Sequence, residues 1–364
     1  MAIYYPYIFV ALIVFFFLAL NLCAFIHSRV QPLCSDLLLA TVLILFAGFR
    51  GADLDFIEYE KMFERIQLSS AQSLLEQALI GKDVLFGFLM ISISTIGLGT
   101  LTLFFISAMI SVGVKLVAFR HAFGSSILGL GLYFSSFYFL HDFTQIRLAI
   151  AIAFCFLALV FIIKRKYFIY IIFCAVAVGF HAQTFLFFIA TLPLLTNFKH
   201  KHLLVFLSIV MMGLAFSSIS LFLDIVGLRP GGDIGATNIK TTAILAIILN
   251  SVIVAITYFG SIKNFIRLFD EEIAKVSVLL FFGGLLFLFI TLNISEVLAW
   301  RIYEMFSTFG IFVIIVCLRS KLNLLNILTS LSYFVLNLTL LLRSDLLVKY
   351  TINSTIGTIY GAFY

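Results

Sequence analysis

The chain has 364 residues, of which 63% are hydrophobic, 11% charged and 44 phenylalanine. That balance excludes a soluble globule, a disordered chain, collagen and a disulfide-stapled secreted scaffold, and leaves an all-α, polytopic integral membrane protein. The net charge of +6 then reads as orientation information rather than nucleic-acid affinity.

Backbone groups in lipid must be satisfied within the protein, and apolar runs of roughly 17–25 residues select helices over barrel strands. In chain order, the apolar runs predict about twelve spans at 7–26, 36–49, 102–119, 126–141, 146–163, 167–180, 182–196, 203–222, 242–260, 276–292, 302–318 and 322–342. Met1 to Tyr7 carries no basic residue and no small-residue cleavage pattern follows, so the first run is read as a span and not a signal peptide. No repeat or low-complexity linker divides the chain, so 1–364 is expected to form a single transmembrane domain with external loops at 50–83 and 223–241.

Short connectors rich in Lys and Arg stay on the cytoplasmic side. Lys164-Arg165-Lys166, Lys199-His200-Lys201-His202, Lys263 to Arg267 and Arg319-Ser320-Lys321 all fall on one side of this topology. With Arg29, Lys115, Arg120 and Lys275 that side gathers 13 basic and four acidic residues, against ten basic and 13 acidic on the other. The apolar stretch 84–99 is short and contains Gly97 and Gly99. If it crossed fully, 50–83 would become cytoplasmic, yet that segment holds seven acidic and four basic residues. The stretch is therefore expected to be re-entrant or interfacial, with both ends outside.

Four polar clusters then collect on the outer side. They are Phe49-Arg50 to Tyr59, containing Asp53, Asp55 and Glu58; His141-Asp142 to Gln145-Ile146-Arg147; Phe180-His181-Ala182-Gln183, at a hairpin tip; and Trp300-Arg301-Ile302-Tyr303-Glu304. Ionisable residues at membrane depth are costly and tend to face a cavity, so four clusters on one side suggest a shared polar site. Each also has an ordinary explanation. A lone Arg snorkels to headgroups, a lone His bonds a backbone carbonyl, and Glu58, Lys61 and Arg65 have the spacing of local ion pairs. Three arginines on the side that repels cations favour the site. Several guanidinium groups beside lipid suit a diphosphate, because each is planar, always charged and able to hold two oxygens. If the diphosphate leaves, they stabilise the growing charge while a carboxylate or imidazole takes a proton from an attacking sugar hydroxyl. That chemistry is glycosyl transfer from a polyprenyl-diphosphate sugar.

These residues also carry a family resemblance. Ala47-Gly48-Phe49-Arg50 with Asp55 and Tyr59, then Gln145-Ile146-Arg147-Leu148-Ala149-Ile150-Ala151, then Phe180-His181-Ala182-Gln183-Thr184, and finally Arg301 with Tyr303, resemble in order the motifs of EpsG-like, Wzy-type oligosaccharide repeat-unit polymerases. Two details depart from that pattern: the order is Gln145-Ile146-Arg147 where Arg-Gln before the alanine helix is common, and Gly81-Lys82-Asp83 stands where an acidic-proline-glycine start is commoner. The resemblance implies a GT-C-like glycosyltransferase architecture in a bacterial cytoplasmic (inner) membrane. It further implies that repeat units of a surface polysaccharide are joined on undecaprenyl diphosphate at the outer face. Donor and acceptor are then both undecaprenyl-diphosphate-linked oligosaccharides, with a chain-length regulator and a flippase as further partners. Arg50, Arg147 and Arg301 are expected to grip diphosphate, Asp55 or His181 to act as base, and Tyr59, Gln145, Tyr303 and Glu304 to contact substrate. Arg229, in the loop Leu228 to Asp233, is expected to help cover the site.

No metal-ligand spacing or cofactor motif is present, and neither a metal nor a cofactor is expected. Cys23, Cys155, Cys174 and Cys317 lie in apolar runs and Cys34 near a turn, as small hydrophobes rather than a disulfide set. Two further classes remain open: a lipid-linked oligosaccharide flippase or other transporter, and a polyprenyl-phosphate-dependent glycosyltransferase or O-antigen ligase. The first predicts paired broken helices and midplane polar residues, where only Asn250 and the run from Thr329 to Tyr333 qualify.

Overall fold

A computed structural model describes residues 10–17, 33–50, 54–68, 83–196, 200–225, 241–261, 268–292, 295–320 and 324–343. Among these residues the regular elements are helices and no strand occurs. After a helical segment at 10–17 they run α1 (Leu33–Gly48), α2 (Leu54–Leu68), α3 (Val84–Thr95), α4 (Thr100–Phe123), α5 (Ile127–His141), α6 (Ile146–Ile163), α7 (Tyr167–Phe180) and α8 (Phe185–Thr191). They continue with α9 (Lys201–Ile225), α10 (Thr241–Ser261), α11 (Leu268–Thr291), α12 (Glu296–Ser307), α13 (Gly310–Ser320) and α14 (Leu324–Arg343). The expected runs at 146–163 and 167–180 coincide with α6 and α7. The run at 302–318 falls on two helices, α12 and α13, and α2 lies inside the segment read as an external loop.

Five stretches are long and apolar enough to cross a bilayer: Thr100–Phe123, Ile146–Ile163, Lys201–Ser218, Phe269–Thr291 and Leu298–Arg319. Other apolar stretches among the described residues, such as Ile244–Gly260 and Ile327–Thr339, are shorter. With 12 residues, α3 extends about 18 Å, well under the roughly 30 Å of a hydrocarbon layer.

Chain contacts form two compact units. The first comprises Met1–Val160, Ile171–Ala182 and Phe334–Tyr364, the second Phe161–Tyr170 and Gln183–Tyr333. Within the first, α1 lies along α4, and α2, α3 and α4 enclose a core of Tyr59, Phe63, Phe86, Met90, Ile93, Leu103, Phe104 and Ile146. Small residues set the closeness of these contacts, as is common where helices meet in lipid. A Cβ on Gly48 would stand 2.8 Å from the Phe105 ring, and one on Gly179 would stand 2.6 Å from the Leu85 side chain.

The fully buried Asp36, in the first turn of α1, accepts hydrogen bonds from Ser126 N (2.8 Å), Ser126 Oγ (2.9 Å) and Ser125 Oγ (3.1 Å) and pairs with Arg120. The turn that supplies these donors opens at Gly124, whose left-handed backbone (φ 80°) ends α4. Asp36 and Arg120, read on one side from sequence, thus meet at one end of this unit.

In the second unit α11 packs against α9, α12 and α13. Adjacent glycines allow two of these approaches, with Gly283 facing Ile209 of α9 and Gly284 facing Phe306 of α12.

Candidate active site in the first unit

Arg50 follows the end of α1 and is only 3% exposed. Its Nη1 donates to the backbone carbonyls of Asp142 (2.9 Å) and Phe143, and its guanidinium lies 3.8 Å over the Phe104 ring. Those carbonyls belong to the turn that ends α5, where a helix leaves acceptors without intrahelical donors and carries partial negative charge. Arg50 therefore caps the break between α5 and α6.

The Asp142 side chain points into a second buried group. Tyr133 OH donates to Oδ2 at 2.6 Å, and Lys115 Nζ reaches the same oxygen at 3.3 Å. Lys115 also bonds Ser111 Oγ and, at 3.2 Å, the Ala149 carbonyl of α6, and lies 4.2 Å over the Tyr133 ring. The sequence places Lys115 with the cytoplasmic charges. In the structure the residue is not part of a connector: it is fully buried within α4 and pairs with Asp142. Residues nine apart lie about 180° from each other on a regular helix, so Tyr133 and Asp142 would not meet. The π segment Phe134–Tyr138 changes that register, as such insertions do at functional sites.

Beside this lies a part-exposed cluster. Arg147, in the first turn of α6, pairs through Nη1 with Asp83 Oδ2 at 2.6 Å, hydrogen-bonds Tyr59 of α2, and stands 5.9 Å from the Phe86 ring centroid. Asp83 occupies the position before α3. Its Oδ1 accepts the Ala182 N–H at 3.0 Å and stands 3.6 Å from His181 Nδ1. Burial pushes the Asp83 carboxyl up, but the His181 ring, the Ala182 N–H and the Arg147 charge outweigh it and hold the group below the usual carboxylate range. The close contact of Gly179 with Leu85 brings the end of α7 against the start of α3, which makes the Asp83 to Ala182 bond possible.

With 14 residues, α7 extends about 21 Å, less than a roughly 30 Å hydrocarbon layer, and His181 follows its last residue.

A sequence profile of the EpsG family matches residues 33–352. The chain belongs to the EpsG family. No curated protein and no solved structure matches it. EpsG-like proteins are Wzy-type polymerases, and the match supports a polysaccharide polymerase type of function for this EpsG-family protein.

Of the residues expected to form its site, the first unit brings together Tyr59, Arg147 and His181, and holds Arg50 and the half-buried Gln145 at the neighbouring turn. Asp55 falls in the first turn of α2. Arg301, Tyr303 and Glu304 belong to the second unit, on α12, where Arg301 is exposed and Tyr303 is buried with Ile247, Leu288 and Ala299. Arg229 lies outside the described residues.

Three residues of the site were not read as functional from sequence. Asp83 follows Lys82 and resembles loop charge. Asp142 belongs to the second polar cluster, but the sequence does not show its buried partners Tyr133 and Lys115. Lys115 had an available signal, since Ser107, Ser111 and Lys115 repeat every four residues and form one polar stripe on α4.

Proposed function

We propose that this EpsG-family protein joins lipid-linked oligosaccharide repeat units of a bacterial surface polysaccharide by glycosyl transfer from undecaprenyl diphosphate. On this reading it is a GT-C-like enzyme of the cytoplasmic membrane whose site opens to the outer face. The observation that carries the reading is Arg147 held beside Asp83, Tyr59 and His181 where the start of α6 and the end of α7 meet. A lipid diphosphate carries its anionic group at the membrane surface, and a planar guanidinium can hold two of its oxygens.

In the reaction the acceptor hydroxyl oxygen attacks the anomeric carbon of the donor. The bond from that carbon to the diphosphate oxygen breaks, and its electron pair stays with the diphosphate. Arg147 stabilises the charge that develops there. His181 takes the hydroxyl proton on Nε2 and passes it to water. Tyr59 and Gln145 orient the sugars, while Arg50 acts from below by holding the turn before Arg147.

The test is Arg147→Ala at unchanged protein level. Loss of long-chain polysaccharide, with single repeat units still made, is expected. Normal chain length would overturn the assignment, and loss of every repeat unit at the surface would point to transport instead.

A further inference from the structure

Arg147 already has an anion. The Asp83 carboxylate sits 2.6 Å from its Nη1, on the guanidinium that the proposed donor needs. The same carboxylate faces His181 through its other oxygen, but at 3.6 Å it is too long for a hydrogen bond. A single acidic group thus stands between the diphosphate-binding residue and the proposed base, committed to the first and just short of the second. The Ala182 N–H, at 3.0 Å from Oδ1, keeps that oxygen on the His181 side while leaving Oδ2 to be released.

We propose that Asp83 is a displaceable carboxylate that couples donor binding to the readiness of His181. This rests on the reading of Arg147 and His181 given above. When the diphosphate takes Arg147, Asp83 loses its cation and the carboxylate turns so that Oδ1 closes the remaining distance, about 0.8 Å, to His181 Nδ1. A carboxylate on Nδ1 holds the proton there, orients the ring and leaves Nε2 as the nitrogen with the lone pair. The base is completed only when a donor is present. Without donor, Arg147 and Asp83 neutralise each other, which lowers the cost of keeping both at membrane depth. Asp83 is in this sense a positioning residue, since it acts through Arg147 and His181 and takes no part in bond making.

The proposal makes two effects of one substitution run in opposite directions. Asp83→Asn keeps an oxygen for the Ala182 N–H and removes the charge that competes for Arg147. An anion no longer has to open a part-exposed ion pair, so affinity should rise about fivefold. Turnover should fall at least about tenfold, because Asn does not hold the His181 tautomer as a carboxylate does. A residue that only held the fold would lower both.

The experiment uses the full-length protein in lipid nanodiscs. Binding of inorganic pyrophosphate and of undecaprenyl diphosphate is measured by calorimetry for wild type, Asp83→Asn, Asp83→Glu and Arg147→Ala, and chain length is measured in cells carrying the same variants. Tighter binding of both ligands by Asp83→Asn, with shortened chains and partial recovery of length in Asp83→Glu, supports the coupling. Tighter binding of undecaprenyl diphosphate alone supports it with the lipid as the required source of the diphosphate. Binding by Asp83→Asn that is unchanged or weaker, or chains of normal length, overturns it. Arg147→Ala separates the two levels of argument. If that variant loses binding and chain length while Asp83→Asn behaves as wild type, the transferase reading stands and the coupling fails. If Arg147→Ala keeps both, the reading beneath it fails.

Discussion

Lys115 and Asp142 form an ion pair 3.3 Å long in which neither side chain is exposed. Burying a single charge costs far more than burying a matched pair, so removing one partner is worse than removing both. Lys115→Met is expected to destabilise the protein by about 3 kcal/mol, and the double variant Lys115→Met with Asp142→Leu to recover part of the loss. Thermal unfolding in detergent, read as the midpoint of each variant, measures this. With Asp142→Leu measured alone as well, a double variant that unfolds as far below wild type as the two single losses combined would show the residues to be uncoupled.

Replacing Arg147 by Lys retains the charge and removes the planar fork. Since Asp83 and the Tyr59 hydroxyl hold the guanidinium from two directions, a single ammonium cannot reproduce the arrangement. Arg147→Lys is therefore expected to lower polymer formation nearly as far as Arg147→Ala, by about 100-fold or more. Chain-length profiles from cells with equal protein levels give the comparison, and a fully active Lys variant would show that charge alone suffices.

The apolar runs made the helices legible, because every span must hide its backbone from lipid and the hydrophobic length shows it directly. Arg147, Tyr59 and His181 were legible as well, since polar residues at span ends are unusual in so apolar a chain. Asp83 was not, because a charge next to Lys82 looks solvated until α7 is seen to pack on α3. For Arg50 the chain shows a cation at the end of α1, but not that its Nη1 donates to the backbone carbonyls of Asp142 and Phe143. A sequence gives a charge and its neighbours in the chain but not the carbonyls that a helix break exposes. Lys115 was placed by a rule about loops, and that rule does not apply to a cation in mid-helix with a buried partner.

The approach of α7 to α3 depends on Gly179, where a Cβ would come within 2.6 Å of Leu85 Cγ. Gly179→Val should push the end of α7 away from Asp83 and weaken the bond to the Ala182 N–H. Overpacking of this kind costs about 1–3 kcal/mol. Activity should fall further than stability does, and Leu85→Ala in the same chain should restore part of it by vacating the space. Chain length and unfolding midpoint, measured together on the single and double variants, check both effects.

The lowered carboxyl of Asp83 gives a stability that depends on pH. Burial raises this group, yet the His181 ring, the Ala182 N–H and Arg147 lower it more, so the folded protein keeps it ionised to a lower pH than the unfolded chain does. A depressed carboxyl adds its stability above the unfolded value, near about 4, and loses it as the pH falls through the folded value. The contribution is thus complete at neutral pH and disappears only below about pH 4. Asp83→Asn removes the titration. The difference in unfolding midpoint between wild type and Asp83→Asn should be constant from neutral pH down to the ordinary carboxylate range and shrink below it. A difference that instead shrinks between pH 8 and 6 would assign the effect to another group, since Asp83 does not change charge there.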